Sequence, residues 1–232
     1  MSIHPQMDDR DLFALVKAEL FTAVVGDVMD QMGLTNQFLP PRVRPLRDDM
    51  VVVGRAMPVL EADYIAASEG AGKGPLAGKP FGMMMEALDD LREGEVYVAS
   101  GSGGEYALWG ELMTLRARQL KAVGAVLDGY TRDTRGILAQ GFPVFGHGPY
   151  AQDQGIRGKV VDWRTPVHLG RARVEPGDLI FGDVDGVLVV PSQALAEVLT
   201  RALEKVRGEK VVEKAIQDGM GAAEAYRTFG IL

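Results

Sequence analysis

The chain of 232 residues contains no cysteine. Disulfides, thiolate metal sites and thiol nucleophiles are therefore excluded together. No stretch approaches the roughly 20 consecutive apolar residues that a membrane helix needs. Residues 1–20 carry acids where a signal peptide would carry cations, and they have no apolar run of signal length. These absences predict a cytoplasmic protein with no membrane partner.

Cationic residues are fewer than acidic ones. Lys and Arg number 25 against 32 Asp and Glu, so the formal charge is −7. No basic run is present, and phosphate binding needs a cationic face. Nucleic acid is therefore not expected as a partner. The three histidines do not have metal-ligand spacing.

Apolar residues make up 47% of the chain and charged residues 25%, the balance of a globular protein. The length fits one domain, or one domain with an extension. The 29 glycines are dispersed at the ends of apolar runs, which predicts many tight turns. The chain shows no linker and no internal repeat.

Periodicity predicts an α/β fold. Helical spacing predicts two short helices within 9–32, and a β-branched run predicts a strand over 50–60. Strands and helices then alternate, which implies parallel neighbours: a helix at 81–92, a strand at 95–99, a helix at 109–121, a strand at 123–127, a helix at 133–140 and a strand at 142–145. Beyond residue 150 we expect a β-meander or small sandwich, followed by a last helix and an Ala/Gly-rich tail: strands at 158–163, 166–173, 178–181 and 186–190, and a helix at 191–216.

Three loops follow parallel strands, at 100–110, 128–133 and 146–148. The carboxyl ends of such strands share one edge of a sheet, where ligands usually bind. We therefore expect these loops to lie together. A glycine-flanked helix start near Gly110 and Glu111 would present free N–H groups to a small carboxylate or phosphate. Loops of this kind can carry an active site.

Arg132 and Asp133 offer a guanidinium that can stabilise an oxyanion and a hard oxygen ligand for Mg²⁺. Glu111 could act as an acid or base, or hold a metal-bound water. Structural roles remain open beside these: a surface ion pair for Arg132 and Asp133, and a favourable helix-dipole position for Glu111. His147, between two glycines, could be a site residue or a loop residue. The segment 72–77 fits a dinucleotide fingerprint only loosely, because Pro75 interrupts it.

The segment 109–133 resembles the RraA-like family, which includes 4-hydroxy-4-methyl-2-oxoglutarate aldolases and the regulator of ribonuclease activity A. The resemblance rests on a spacing: Gly110-Glu111 is followed by twenty residues and then by Arg132-Asp133. The second pair ends the segment VGAVLDGYTRD. It extends through further segments over most of the chain: 22–30, 44–46, 54–59, 142–145 and 174–191.

The resemblance implies an α/β fold related to swivelling phosphohistidine domains, with parallel βαβ units, a β-rich C-terminal half and a long C-terminal helix. It implies a single domain over residues 1–232, which includes an N-terminal helical extension and a C-terminal helix. Homotrimers or homohexamers with sites at subunit boundaries would be expected.

The family's aldolases use a divalent metal, Mg²⁺ or Mn²⁺, to stabilise a pyruvate enolate. By resemblance, Asp133 would be the metal ligand and Arg132 would contact the keto or enolate oxygen. The pyruvate carboxylate would lie at Gly110, on the backbone N–H groups of Leu112 and Met113. Glu111 would hold the proton-donating water, and a glutamate of the neighbouring subunit's last helix would complete the metal site, with two candidates in this chain: Glu209 first and Glu213 behind it.

Two positions depart from the family's pattern. Glu111 stands where the aldolases usually have Asp, one methylene shorter. The acid often found three residues beyond the Arg-Asp aspartate is absent, since Gly136 is at that position.

Together with the predicted anion site, the resemblance implies a metal-dependent lyase that cleaves a 4-hydroxy-2-oxo acid, such as 4-hydroxy-4-methyl-2-oxoglutarate, to pyruvate. Oxaloacetate decarboxylation would pass through the same enolate. The alternative is a non-catalytic protein that binds a ribonuclease, which the acidic charge favours. A distal substrate carboxylate could be read by any of five residues, among which spacing does not select: Arg42, Arg44, Lys73, Lys79 and His147.

Overall fold

A computed structural model of the chain describes residues 7–64 and 72–230. It contains seven helices in this part: α1 (Asp9–Glu19), α2 (Thr22–Gln31), α3 (Met84–Asp89), α4 (Glu111–Gln119), α5 (Thr134–Gln140), α6 (Leu195–Gln217) and α7 (Ala222–Phe229). It also contains twelve strands: β1 (Arg44–Pro45), β2 (Val52–Asp63), β3 (Glu95–Ser100), β4 (Ala107–Trp109), β5 (Gly124–Leu127), β6 (Tyr130–Thr131), β7 (Val144–Gly146), β8 (Gly158–Trp163), β9 (Val167–Leu169), β10 (Ala172–Val174), β11 (Leu179–Asp183) and β12 (Gly186–Val190).

The main sheet has the strand order β1-β7-β5-β3-β2-β11-β12, with β8 also paired to β2. Its centre is parallel, since β2 pairs with β3, β3 with β5, and β5 with β7 in that sense. The alternation of predicted strands and helices is thereby confirmed, as are the two N-terminal helices. The protein has a mixed α/β fold with a parallel-rich sheet and a long C-terminal helix.

The predicted meander or sandwich beyond residue 150 is wrong. Strands β8, β11 and β12 pair antiparallel and join the main sheet, because β2 accepts β8 and β11 as neighbours. The single strand predicted over 166–173 is a hairpin of β9 and β10, since Gly170 turns the chain at φ +61°. The predicted Ala/Gly-rich tail forms α7.

Alternation along β2 distributes its side chains between two cores. Val53, Met57 and Val59 face the helices: Val53 lies in a cluster with α1, α2 and α6, and Met57 and Val59 lie in one with α3, α4 and α5. Val52 and Ala56 pack on the opposite face with the β9–β10 hairpin. Both faces are thus covered, as expected for parallel strands with continuous apolar runs.

The Gly-, Ala- and Pro-rich sequence at 68–80 predicts a loop, of which residues 68–71 lie outside the described residues. His4 also lies outside them. None of the helices in the described ranges is both long enough and apolar enough to cross a membrane.

Candidate functional site

The three loops at the carboxyl ends of the parallel strands meet, as predicted. The N–H of Arg132 donates to the carbonyl of Trp109 (2.9 Å), and the N–H of Thr131 donates to that of Gly148 (3.0 Å). The N–H of His147 donates to the carbonyl of Gly129 (2.8 Å). Strands β4 and β6, which sequence periodicity did not predict, pair in parallel and align Trp109 with Thr131. This pairing places the start of α4 beside Arg132 and Asp133.

Asp133 has a left-handed backbone, with φ of 57°. Its carbonyl accepts the N–H groups of Gly136 and Ile137 at the start of α5, but its carboxylate does not cap that helix. The carboxylate instead approaches α4, where Oδ2 lies 3.4 Å from the backbone N of Glu111. Such a conformation in a non-glycine residue costs free energy and is concentrated at functional sites.

The start of α4 presents free donors. Gly110 is the N-cap residue, and its carbonyl accepts the first helical hydrogen bond, from the N–H of Thr114 (3.1 Å). The N–H groups of Leu112 and Met113 precede that bond, and such groups have no acceptor within a helix. An anion at this point would also interact favourably with the helix dipole.

Arg132 lies between two carboxylates. Its Nη1 donates to Asp153 Oδ1 at 2.6 Å, and its Nε is 3.8 Å from Asp133 Oδ2. Asp153 is held in turn, because its Oδ2 accepts the N–H of Gly155 at 2.8 Å. The guanidinium therefore has a fixed direction although 40% of the side chain is exposed. Sequence reasoning missed Asp153, which lies outside any regular element.

Glu111 extends toward the first turn of α5. A Cβ atom at position 136 would collide with the carboxyl group of Glu111, so only glycine leaves room for that group. The position that lacks the family's acid is thus the position over which the carboxylate of Glu111 lies.

A cavity of about 380 Å³ lies beside these groups. Gly110, Arg132, Asp133 and Asp153 form its polar part. The rest of the wall is mainly apolar: Phe81, Met84, Met85, Leu88, Ala107, Leu108, Trp109, Leu112 and Met113. The site therefore combines a charged end with a hydrophobic end.

Gln154 lines the cavity and connects it to a buried acid. Its Nε2 donates to Oε2 of Glu61 at 2.7 Å, and both residues are 2% exposed. Within residues 7–64 and 72–230, Oε1 of Glu61 has no hydrogen-bond partner. Burial raises the pKa of Glu61 to about 8, while the bond from Gln154 acts in the opposite direction. Sequence reasoning did not single out either residue.

Several candidates do not line this cavity. Arg42 binds Asp128 and His147 (2.9 and 3.0 Å), Arg44 donates to the carbonyls of Val184 and Asp185, and Lys79 pairs with Glu86. Burial lowers the pKa of His147, and Arg42 adds to this while Asp128 opposes it. Glu209 and Glu213 lie on α6, where Glu209 is 3.8 Å from Lys205 Nζ and Glu213 accepts from Gln217. Lys73 is also not among the residues that line the cavity.

The oxygen donors near Asp133 meet only part of what a divalent ion requires. Among the described residues, no group of three or more His, Asp or Glu side chains is arranged to hold a metal. Asp133 and Glu111 nevertheless line one shared depression. Mg²⁺ is usually held by one or two carboxylates and keeps several waters. Asp133 supplies one carboxylate for such an ion and Glu111 can hold one of its waters, and the described residues form no complete cage.

Three comparisons relate the chain to known proteins. The model of the RraA-like family, described as "Aldolase/RraA", matches residues 22–189. A protein of Halalkalibacterium halodurans named "Putative 4-hydroxy-4-methyl-2-oxoglutarate aldolase" is 31% identical over 208 residues, which cover 88% of this chain and 89% of that protein.

Solved structures agree on the fold. A structure described as one of "novel cellulases from microbes associated with the gut ecosystem" is 34% identical, with a TM-score of 0.78 and 90% of each chain covered. RraAS2 of Streptomyces coelicolor, described as an unusual member of the RNase ES inhibitor RraA protein family, is 19% identical with a TM-score of 0.75. That match covers 90% of this chain and 98% of RraAS2. Fold, family model and sequence identity together establish that this chain belongs to the RraA-like family.

Proposed function

We propose that the protein is a divalent-metal-dependent carbon–carbon lyase that cleaves a 4-hydroxy-2-oxo acid, such as 4-hydroxy-4-methyl-2-oxoglutarate, to release pyruvate. Oxaloacetate decarboxylation is proposed as a second activity. One observation carries the proposal: the Asp133 carboxylate lies at the N-terminus of α4, beside Arg132, at the charged end of a cavity. The relatives named as aldolases support the same class of reaction.

The pyruvate end of the substrate binds at the charged end of the cavity. Its carboxylate accepts hydrogen bonds from the N–H groups of Leu112 and Met113. These two residues precede Thr114, whose N–H makes the first helical hydrogen bond of α4. The guanidinium of Arg132, fixed by Asp153, donates to the oxygen on C2. As the bond between C3 and C4 breaks, negative charge moves onto that oxygen, so the same donor stabilises the enolate more strongly than the ketone.

Asp133 would hold Mg²⁺ or Mn²⁺, and Glu111, in the same depression, would hold a metal-bound water. When bound, such an ion supplies positive charge that stabilises the enolate and the substrate's oxygen atoms. Asp133 is suited to this because its carboxylate is not used as a cap for α5.

Glu111 is proposed to control proton transfer to the enolate. Its carboxylate lies above Gly136, in the depression that it shares with Asp133, and would orient a water that donates a proton to C3 of the enolate. In the aldol cleavage, Glu111 accepts the proton of the C4 hydroxyl through the same water as the C3–C4 bond breaks and the carbonyl of the second product forms. That proton is returned to C3 of the enolate. In the decarboxylation, carbon dioxide leaves and the same carbon of the enolate is protonated.

We further propose that the protein assembles as a homotrimer or homohexamer in the cytoplasm. Glu209 of a neighbouring subunit would then complete the metal site, with Glu213 as the second candidate. Apolar side chains exposed on α6 and α7 support association: Val211, Ile216 and Tyr226. Binding of a ribonuclease is the alternative function, and the net charge of −7 favours it.

The direct test is pyruvate release from oxaloacetate and from 4-hydroxy-4-methyl-2-oxoglutarate, coupled to lactate dehydrogenase, with Mg²⁺ and again with EDTA. The proposal expects release that EDTA abolishes and added Mg²⁺ restores. Release that is indifferent to EDTA would contradict the metal dependence. No release from either substrate, together with co-purification of a ribonuclease, would favour the binding function instead.

A further inference from the structure

The cavity contains a second guanidinium besides that of Arg132. Arg116, in the middle of α4, lines the cavity together with Arg132 and Asp133. Its Nε donates to Asp89 Oδ1 at 2.7 Å. Among residues 7–64 and 72–230, Nη1 and Nη2 of Arg116 have no hydrogen-bond partner. These two atoms carry four of the five N–H donors of an arginine, so Arg116 can bind a carboxylate through both of them.

Asp89, at the end of α3, restricts Arg116 without neutralising it. The ion pair is open to solvent, because the side chains of Arg116 and Asp89 are 40% and 64% exposed. Pairs this exposed are screened by salt and contribute little to stability. The bond at Nε nevertheless limits rotation of the planar guanidinium, so less side-chain entropy is lost when its outer nitrogens bind an anion.

The position of Arg116 along α4 suits a dicarboxylic acid whose first carboxylate lies at the helix start. Leu112 and Arg116 both line the cavity and are neighbours on one face of the helix, about 6 Å apart along its axis. The two carboxyl carbons of a five-carbon diacid are about 5 Å apart when the chain is extended. A carboxylate on the N–H groups of Leu112 and Met113 therefore leaves the second carboxylate within reach of Arg116.

The described cavity wall offers no other cation for a second carboxylate. Its positively charged side chains are Arg116 and Arg132. Arg132 donates to Asp153 at 2.6 Å, and its remaining donors are proposed to serve the oxygen on C2. The cations that sequence analysis offered for a distal carboxylate are not part of this wall: Arg42, Arg44, Lys73, Lys79 and His147.

We propose that Arg116 binds the second carboxylate of the substrate through Nη1 and Nη2 and thereby selects 4-hydroxy-2-oxo diacids over the corresponding monoacids. The inference rests on the proposed function, because it assumes that the pyruvate end binds at Arg132 and the start of α4. Arg116 takes no part in bond cleavage. It stabilises the bound diacid and its transition state alike, so its loss should raise KM more than it lowers kcat.

The first experiment compares two substrates that differ only in this carboxylate. 4-Hydroxy-4-methyl-2-oxoglutarate yields two pyruvates, whereas 4-hydroxy-4-methyl-2-oxopentanoate, which has a methyl group in place of the second carboxylate, yields pyruvate and acetone. Arg116→Gln should lower the diacid-to-monoacid ratio of kcat/KM about tenfold or more, because two charge-assisted hydrogen bonds are lost. Arg116→Lys keeps the charge without the planar pair of donors and should lower the ratio less. A ratio that Arg116→Gln leaves unchanged would overturn the inference and leave the lyase proposal standing.

Two further variants separate this role from a structural one. Arg118→Gln removes the same charge from the same helix, at an exposed position outside the cavity wall, and should leave the ratio unchanged. Asp89→Asn removes the negative charge of the ion pair but keeps an oxygen that can accept from Nε of Arg116. It should leave the ratio at or above the wild-type value, because the carboxylate that competes for Arg116 is gone. A fall in either variant as large as in Arg116→Gln would overturn the inference.

A binding measurement separates this inference from the lyase proposal. 2-Oxoglutarate and 2-oxopentanoate differ only in the second carboxylate, and neither has a 4-hydroxyl group, so neither undergoes aldol cleavage. Isothermal titration calorimetry should show 2-oxoglutarate binding about tenfold or more tighter to the wild type, and Arg116→Gln should abolish this difference. That result would support the role of Arg116 even if no substrate releases pyruvate, which would overturn the lyase proposal alone. Equal affinities in the wild type, or a preference that Arg116→Gln retains, would overturn the role of Arg116.

Discussion

The carboxylate of Asp133 lies directly over the backbone of Gly110. A Cβ atom at position 110 would be 2.8 Å from Asp133 Oδ2, closer than side chains tolerate, while Oδ2 is 3.4 Å from the backbone N of the next residue. Glycine at 110 therefore allows the acid to reach the start of α4. The proposed metal and anion sites are adjacent for this reason.

Gly110→Ala should displace the Asp133 carboxylate without unfolding the protein, since the atom that must move ends a side chain. We expect kcat/KM for pyruvate release to fall about 10- to 100-fold, the cost of misplacing a catalytic group by about 1 Å. The assay is the coupled reaction with Mg²⁺. Gly221→Ala is the control, because nothing lies within 4 Å of a Cβ there. Wild-type activity in Gly110→Ala would show that the position of Asp133 is unimportant.

Gly136→Ala tests the position of Glu111. The added methyl group would collide with the Glu111 carboxyl group and move it from the start of α5. We expect kcat to fall about tenfold while KM changes little, because the proton donor is displaced and the carboxylate-binding N–H groups are not. Glu111→Gln should show the same division between kcat and KM. A rise in KM alone would assign Glu111 to substrate binding.

Asp153 positions Arg132, and its variants should show a graded effect. Asp153→Asn keeps an oxygen that can accept from Arg132, whereas Asp153→Ala leaves the guanidinium without that partner. We expect KM for oxaloacetate to rise several-fold in the Asn variant and about tenfold or more in the Ala variant. Steady-state kinetics of both variants with oxaloacetate measure these changes in KM. Unchanged KM in Asp153→Ala would mean that Arg132 does not need this bond.

Glu61 should make the protein less stable as pH rises. Burial raises its pKa from 4.5 to about 8, so the folded state binds the proton more tightly than the unfolded state. This contribution is fully present below pH 4.5 and is lost as pH rises to about 8, by about 1.4 kcal/mol per pH unit between these values.

Glu61→Gln keeps the acceptor for Gln154 and cannot ionise. Urea unfolding at pH 5, 6.5 and 8 should show a smaller decline in the free energy of unfolding for this variant than for the wild type. Parallel declines in the two proteins would place the pH dependence in other groups.

The sequence predicted the parts of the fold that depend on local patterns. The β-branched run at 50–60 and the short strands at 95–99 and 123–127 are present because their apolar residues fill both faces of a parallel sheet. The meeting of the three loops followed from that topology. The hairpin of β9 and β10 was missed because its turn depends on one residue, Gly170.

The site could be predicted only where its residues adjoin regular elements. Glu111, Arg132 and Asp133 stand at the ends of strands and starts of helices, where the topology places them together. Asp153 and Gln154 lie in an irregular segment, which is held near β4 by the bond from Ala107 N–H to the carbonyl of Gln152 (2.8 Å). Glu61 and Gln154 are 93 residues apart. Such long-range contacts have no signature in a local pattern.

The central claim is that Asp133 holds the divalent ion that the reaction needs. The most direct measurement is Mg²⁺-dependent pyruvate release from oxaloacetate by Asp133→Ala, beside Asp48→Ala, which alters an exposed aspartate away from the site. We expect the Asp133 variant to lose about 100-fold or more in rate, with an unchanged circular dichroism spectrum, while the Asp48 variant keeps wild-type activity. Mg²⁺-dependent release at the wild-type rate in Asp133→Ala would contradict the account.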